Sequence, residues 1–263
     1  MALDIDRFQE LVAPLRTDDL DIEYGFVEQP LSADVLRCLR YMHDIEMHTV
    51  CYLRDLLVTS AHRNPDLTTF LTFWSFEEYW HGEAIGRVLA AHGEQAGRPR
   101  VRTLRRARRL REATSPIVHM TGSAIAGSAM TAVHMTWGAL NEWTTQAGYA
   151  RLATLADHPV LTPMLRRIMK QEGRHIDFYA GEARLRLEGS AGARRMTRWA
   201  LRRSWEPVGS DVMPVAEVRH LIQFLFGGPA GAVMIERIDR RVDSLPGLAG
   251  LSLGAHASFK YSR

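Results

Sequence analysis

Residues 73–84 read F73-W-S-F-E-E-Y-W-H-G-E-A84, and the fold turns on this stretch. Around it Leu67, Phe70, Leu71, Trp74, Ile85 and Val88 recur at the spacing of one helix face, and Glu78 and His81 fall on the same stripe. A helix places leucine there by default. Burying an unpaired carboxylate costs roughly several kcal/mol even after the surroundings relax, so these two polar residues need a partner inside the protein.

Three other segments repeat the anomaly. Glu46 lies on the stripe of Met42, Thr49, Val50 and Leu53. Glu142 shares a face with Met135, Gly138, Ala139, Thr145 and Tyr149, and Glu172 and His175 sit with Leu161, Met164, Leu165, Ile168 and Tyr179. Four carboxylates in one helical core repel one another unless something positive is shared among them. Two divalent ions would leave the cluster neutral. Residues three apart on a helix stand on one face about 4.5 Å apart along the axis, so each Glu-x-x-His can grip one ion. One Glu from each of two helices, plus Glu-x-x-His from each of two others, is the di-metal arrangement of four-helix carboxylate proteins. Mixed carboxylate and imidazole ligation suits iron or manganese better than zinc.

A lone Glu-x-x-His is a cheap coincidence, and a third pair, Glu217 and His220, directly follows Pro214. Glutamate is favoured there by the helix dipole, so that pair reads as an ordinary helix start. Register separates the other two. Glu46 to Glu78 is 32 residues and Glu142 to Glu172 is 30, while Glu46 to Glu142 is 96 and Glu78 to Glu172 is 94. Two helical hairpins thus present one constellation twice.

The rest of the chain agrees with a helical domain. Its 263 residues, 46% hydrophobic, suffice for one large core. The spacing predicts a helix from Leu31 to about Val58, a second from Asn64-Pro65 to about Ala91, and a third from Ser115-Pro116 to the low 150s. A fourth opens at Asp157-His158-Pro159 and ends near Gly189. Two or three shorter helices follow. No linker divides the chain, so residues 1–263 read as a single all-α domain, with its four-helix core at about 32–187 and C-terminal helices at about 190–245.

Residues 117–140 hold no Asp, Glu, Lys or Arg and are long enough to span a bilayer. Their histidines, hydroxyls and glycines point instead to a central helix buried by its neighbours, with no membrane span. The start MALDIDRFQE lacks the basic and apolar regions of a signal peptide, so a cytoplasmic protein is expected. Cys38 and Cys51 form no disulfide framework or zinc pattern and read as small apolar residues. Of 33 basic residues all but Lys170 and Lys260 are arginine, and eight fall between Arg98 and Arg111. That group, and a second around Arg194–Arg203, is either a solvated face or a dock for an acidic partner. Nucleic acid is disfavoured, because no aromatic residues interleave with the arginines.

At the polar stripes the chain resembles the soluble acyl-acyl carrier protein desaturases, a branch of the ferritin-like di-iron proteins. W74-S-F-E-E-Y-W-H-G-E83 matches the family's first motif, E172-G-R-H175 its second, and N141-E-W-T-T145 its third-helix ligand. The likeness covers residues 32 to about 187. It implies a ferritin-like four-helix bundle with additional C-terminal helices, and two iron ions (Fe2+/Fe3+) held by Glu46, Glu78, His81, Glu142, Glu172 and His175. Thr145 would lie on the oxygen-binding side. Glu77, Gln171 and Trp74 are the expected outer partners of these ligands, Glu77 at the second nitrogen of His175. Gln171 stands where the family often has an acid.

The resemblance implies an O2-dependent oxidoreductase of fatty acid metabolism. It would remove two hydrogens from adjacent methylenes of an acyl chain carried on an acidic acyl carrier protein. Electrons would come from a ferredoxin-type donor, and the protein would be a homodimer. Arg105, Arg106, Arg108 and Arg109 are the expected carrier dock, and the small residues of T121-G-S-A-I-A-G-S-A-M-T-A132 would either leave room for an extended chain or let helices pack closely. The chain is shorter than the plant enzymes, which leaves substrate and outcome open.

Other classes fit less well. A hydroxylase of a small or carrier-bound molecule shares the oxidant, and a ferroxidase shares the ligands. The radical-generating subunit of ribonucleotide reductase usually has a tyrosine where Ile85 stands, and the arylamine N-oxygenases a histidine where Ile168 stands. A non-enzymatic helical adaptor leaves six buried polar groups unexplained.

Overall fold

Side-chain caps set several helix starts. Ser32, Asn64 and Ser190 each accept a hydrogen bond from the backbone three residues on, and Pro65 occupies the first turn behind Asn64. The structure, a computed structural model, describes residues 4–262, and within them every element is helical and no strand forms. In chain order the helices are α1 (Ile5–Leu11), α2 (Ala33–Glu46), α3 (Thr49–Leu57), α4 (Pro65–Ala91), α5 (Gly97–Ala107), α6 (Arg109–Ala126), α7 (Ser128–Ala156), α8 (Leu161–Gly189), α9 (Ala191–Ser204), α10 (Val215–Phe226), α11 (Gly228–Asp243) and α12 (Leu253–Tyr261). A short 3-10 turn, Ser60–Arg63, links α3 to α4.

Three departures from the sequence reading matter for the site. The helix expected over residues 31–58 breaks at Met47–His48, directly after Glu46. The long third helix starts at Ser128, not at Ser115-Pro116. Pro116 lies inside α6, and the break falls at Gly127, whose φ of 56° is open to glycine. Finally, residues 117–140 are not buried throughout. Ile117, Val118 and Ile125 on α6 are exposed, Ser123 alone is buried before Thr131, and the small-residue run 121–132 straddles the break and forms no continuous buried lane.

Four helices carry the polar stripes. α7 lies along α8, α2 along α4, and α4 meets α8, while α10 and α11 cover α7 and α10 also covers α2. One contiguous core, including Phe70, Leu71, Ile85, Met135, Leu140, Tyr149, Ile168 and Tyr179, extends from Phe8 to Tyr261. The C-terminal part forms four helices rather than two or three, and runs past residue 245 to α12. There the Tyr261 hydroxyl donates to Glu206 at 3.1 Å. No single helix among the described residues is long and apolar enough to cross a membrane; α10 and α11 reach that measure only as a pair bent by 100°.

Candidate metal centre

The site begins with a close approach between α2 and α4. A Cβ on Gly82 would lie 2.6 Å from the Met47 sulfur and 3.3 Å from Glu46 Cβ. Glycine at this position lets the end of α2 settle onto α4 beside Glu78 and His81. On the other side Gly138 of α7 faces the Tyr179 ring of α8, where a Cβ would fall 2.4 Å from the nearest ring carbon. Both approaches draw their helices toward one point.

At that point the six residues form two groups that share members. Glu46, Glu78, His81 and Glu172 bring one ligand atom each within 4.8 Å of one another, and so do Glu78, Glu142, Glu172 and His175. Glu78 and Glu172 belong to both. His175 Nδ1 lies 3.0 Å from Glu172 Oε2, 3.1 Å from Glu78 Oε1 and 4.0 Å from Glu142 Oε2. His81 Nδ1 lies 3.4 Å from Glu172 Oε1 and 3.9 Å from Glu46 Oε2. None of the six is more than 5% exposed.

The outer nitrogens of both histidines are held. His175 Nε2 is 2.9 Å from Glu77 Oε2, and Arg174 donates to the other oxygen of Glu77. His81 Nε2 is 2.9 Å from Gln171 Oε1, and Gln171 Nε2 in turn donates to the Ala13 carbonyl at 2.9 Å. Each imidazole therefore presents Nδ1 inward in a fixed orientation. Two carboxylates are held as well. Trp74 Nε1 donates to Glu142 Oε1 at 2.9 Å, and the Tyr149 hydroxyl donates to Glu46 Oε1. Glu77 thus meets the second nitrogen of His175, Gln171 that of His81, and Trp74 an oxygen of Glu142. Tyr149 and Ala13 were not anticipated. Tyr149 lay on the Glu142 stripe, a signal for burial but not for its partner.

Charge is unbalanced here. Burial, then the charge of Glu78, pushes the Glu46 carboxyl well above its ordinary value; burial with the Glu172 charge does the same for Glu142 and raises Glu78. His81 and His175 are raised. Burial opposes their charge, but Glu172 outweighs it at both, helped at His175 by Glu77 and Glu78. Glu172 is depressed, because hydrogen bonds from His175 and His81 overcome its burial. These directions all favour protons on Glu46, Glu142 and the two imidazoles when no cation is bound. Even so Glu46 Oε2, Glu78 Oε1, His81 Nδ1 and Glu172 Oε1 are buried without a hydrogen-bond partner. Buried polar atoms of native proteins are nearly always satisfied, and these four belong to the shared cluster. The donor set fits two divalent cations.

Other candidate residues fall elsewhere. Thr145 is half-buried one turn past Glu142 and makes no side-chain hydrogen bond among the described residues. Glu217 pairs with Arg37 at 2.8 and 2.9 Å, and His220 stacks on Phe224, so the third Glu-x-x-His is structural. Of the expected carrier dock, Arg105 donates to the Met47 carbonyl and Arg108 to the Val212 carbonyl, while Arg106 and Arg109 are exposed and bind neither acid nor backbone among the described residues. Cys51 is partly buried and has polar neighbours. With His48 and Glu112 it forms a separate cluster, in which His48 Nε2 is 3.1 Å from Glu112 Oε1 and Arg54 also meets Glu112. No family model matches this sequence, and no curated protein matches it either.

Proposed function

We propose that the protein is an O2-dependent di-iron oxidoreductase, a ferritin-like four-helix bundle of α2, α4, α7 and α8 with additional C-terminal helices. The observation that supports this most is the sharing of Glu78 and Glu172 between two four-residue groups, each with one histidine Nδ1 turned inward. A single-ion site has no use for two carboxylates set between two imidazoles. Four carboxylates balance two divalent ions, and an oxygen-rich set with one imidazole per ion suits iron.

Two bound iron ions would supply the reduction of O2 and the removal of hydrogen from an unactivated C–H bond. The chain's own residues do the rest. Glu77 and Gln171 fix the imidazoles, Trp74 and Tyr149 fix the terminal carboxylates, and the packed rings of Phe70, Phe178 and Tyr179 keep water from that flank. The resemblance to acyl-acyl carrier protein desaturases supplies the finer reading: loss of two hydrogens from an acyl chain, with electrons from a ferredoxin-type donor. A second reading, hydroxylation of a small molecule, draws support from a cavity of about 700 Å³ that reaches Glu46, the size of a pocket for a whole small ligand.

The test is mass spectrometry of carrier-bound and free acyl substrates after incubation with the iron-loaded protein, a reductant and O2. Loss of two hydrogens means desaturation and gain of one oxygen means hydroxylation. Oxidation of added iron with no organic product from any substrate would overturn the proposal in favour of a ferroxidase.

A further inference from the structure

The cavity beside Glu46 sorts the arginines of α5 and α6 into two kinds. Arg98, Arg102, Arg106 and Arg109 line it, recurring at helical spacing, and none has an acidic or backbone partner among the described residues. Arginines of the same stretch that do not line it are bonded: Arg100 to Asp44 at 2.6 and 2.7 Å, Arg108 to the Val212 carbonyl and Arg111 to Asp211 at 2.8 Å. Arg105 lines the cavity and spends one nitrogen on the Met47 carbonyl. A merely solvated arginine face has no reason to leave its unpaired members around one hollow, where they repel one another.

The rest of the lining is different. Met47 and Val50, with Val101 on α5 itself, give it an apolar surface, and its one acid is Glu46, which belongs to the metal cluster. The hollow therefore joins an anion-attracting side to an apolar side and then to a metal ligand. Its volume of about 700 Å³ matches that of a small-ligand pocket, and the hollow is open to solvent on one side.

Resting on the metal-centre reading, we infer that this cavity binds the substrate as a free amphiphilic anion. A carboxylate or phosphate head lies on Arg98, Arg102, Arg106 and Arg109, and an apolar body lies along Met47, Val50 and Val101 toward Glu46. Guanidinium groups suit such heads because they offer paired donors in a planar fork. Head and reacting carbon occupy the same hollow, so no carrier protein is needed to deliver the chain.

The test is isothermal titration of the metal-loaded protein with dodecyl phosphate, dodecanoate and neutral dodecanol, at low and at moderate salt. The anions bind, dodecanol binds roughly tenfold or more weakly, and raising salt weakens only the anions. Arg102→Gln with Arg106→Gln weakens dodecyl phosphate roughly tenfold and flattens its salt dependence, while metal content stays at the wild-type level. Equal affinity for dodecyl phosphate and dodecanol, unchanged binding in the double variant, or binding of an acyl carrier protein with none of the free anions would each overturn the inference. Metal content, measured on the same samples, keeps the two readings apart. Anion binding without metal uptake refutes the oxidoreductase and leaves the anion site standing.

Discussion

His81 and His175 face each other across the carboxylate cluster with ring centroids 6.0 Å apart, each turning Nδ1 inward and Nε2 onto a fixed oxygen acceptor. The two acceptors are tied together in turn. Ala13, in the segment after α1, donates its N–H to Glu77 at 3.5 Å and accepts from Gln171 at 2.9 Å. One backbone residue thus spans the outer partners of both imidazoles.

Glu77 carries the heavier share of that arrangement. Burial alone would raise its carboxyl, but His175 and Arg174 hold it below the usual range, so it is ionised. Glu77→Gln should weaken metal binding by roughly 10- to 100-fold, as loss of an outer partner typically does. Competition with a chelator measures it. Gln171→Glu, which adds a charge beside His81, should instead retain metal.

Metal removal should have a pH signature. Glu46, Glu78, Glu142, His81 and His175 all hold protons more tightly in the fold than their ordinary values of 4.5 and 6.5. Their stabilisation is complete below those values and is lost as pH rises through the raised ones. Glu172 acts oppositely, but its contribution disappears only in acid. The metal-free protein therefore loses stability as pH rises above the ordinary carboxyl and imidazole values, and the gap in melting temperature between loaded and metal-free forms widens in that direction. Thermal denaturation of both forms across the range tests the sign.

Gly138→Ala should be costly. Its new methyl meets the buried Tyr179 ring, which packs edge-on against Trp74, the donor to Glu142. Overpacking of this kind costs about 1–3 kcal/mol, visible in chemical denaturation, and should also weaken metal uptake.

Tyr149→Phe removes the hydroxyl donor to Glu46 and leaves a buried carboxyl oxygen unsatisfied. The expected loss is about 1–3 kcal/mol in the metal-free protein. Glu217→Ala is the matching control. It breaks a part-exposed pair with Arg37 worth about 1 kcal/mol or less, and metal content should not change.

Much of this centre is legible in the chain because charge on an apolar stripe is rare and register repeats are rarer. Glu46, Glu78, His81, Glu142, Glu172 and His175 all carry that signal, and their ligand atoms cluster in the fold. Stripes give a face, however, and not the direction of an oxygen, so the shared roles of Glu78 and Glu172 emerge only in three dimensions. The break after Glu46 carries no glycine or proline at Met47–His48. The close approach to Gly82 is a tertiary contact with no local signal. Conversely Ser115-Pro116 looked like a helix start, but the helix already runs from Arg109 through good helix formers and tolerates Pro116 within it. Ala13 contributes only backbone, which no side-chain pattern can announce.

The central claim is that two ions share Glu78 and Glu172. It is tested most directly by metal analysis of protein loaded anaerobically with Fe2+ and then desalted. About two irons per chain are expected for the wild type, and Glu172→Ala, which removes a ligand common to both groups, should lose most of both. A wild-type protein that binds no iron, or a Glu172→Ala variant that keeps the full complement, would contradict the account.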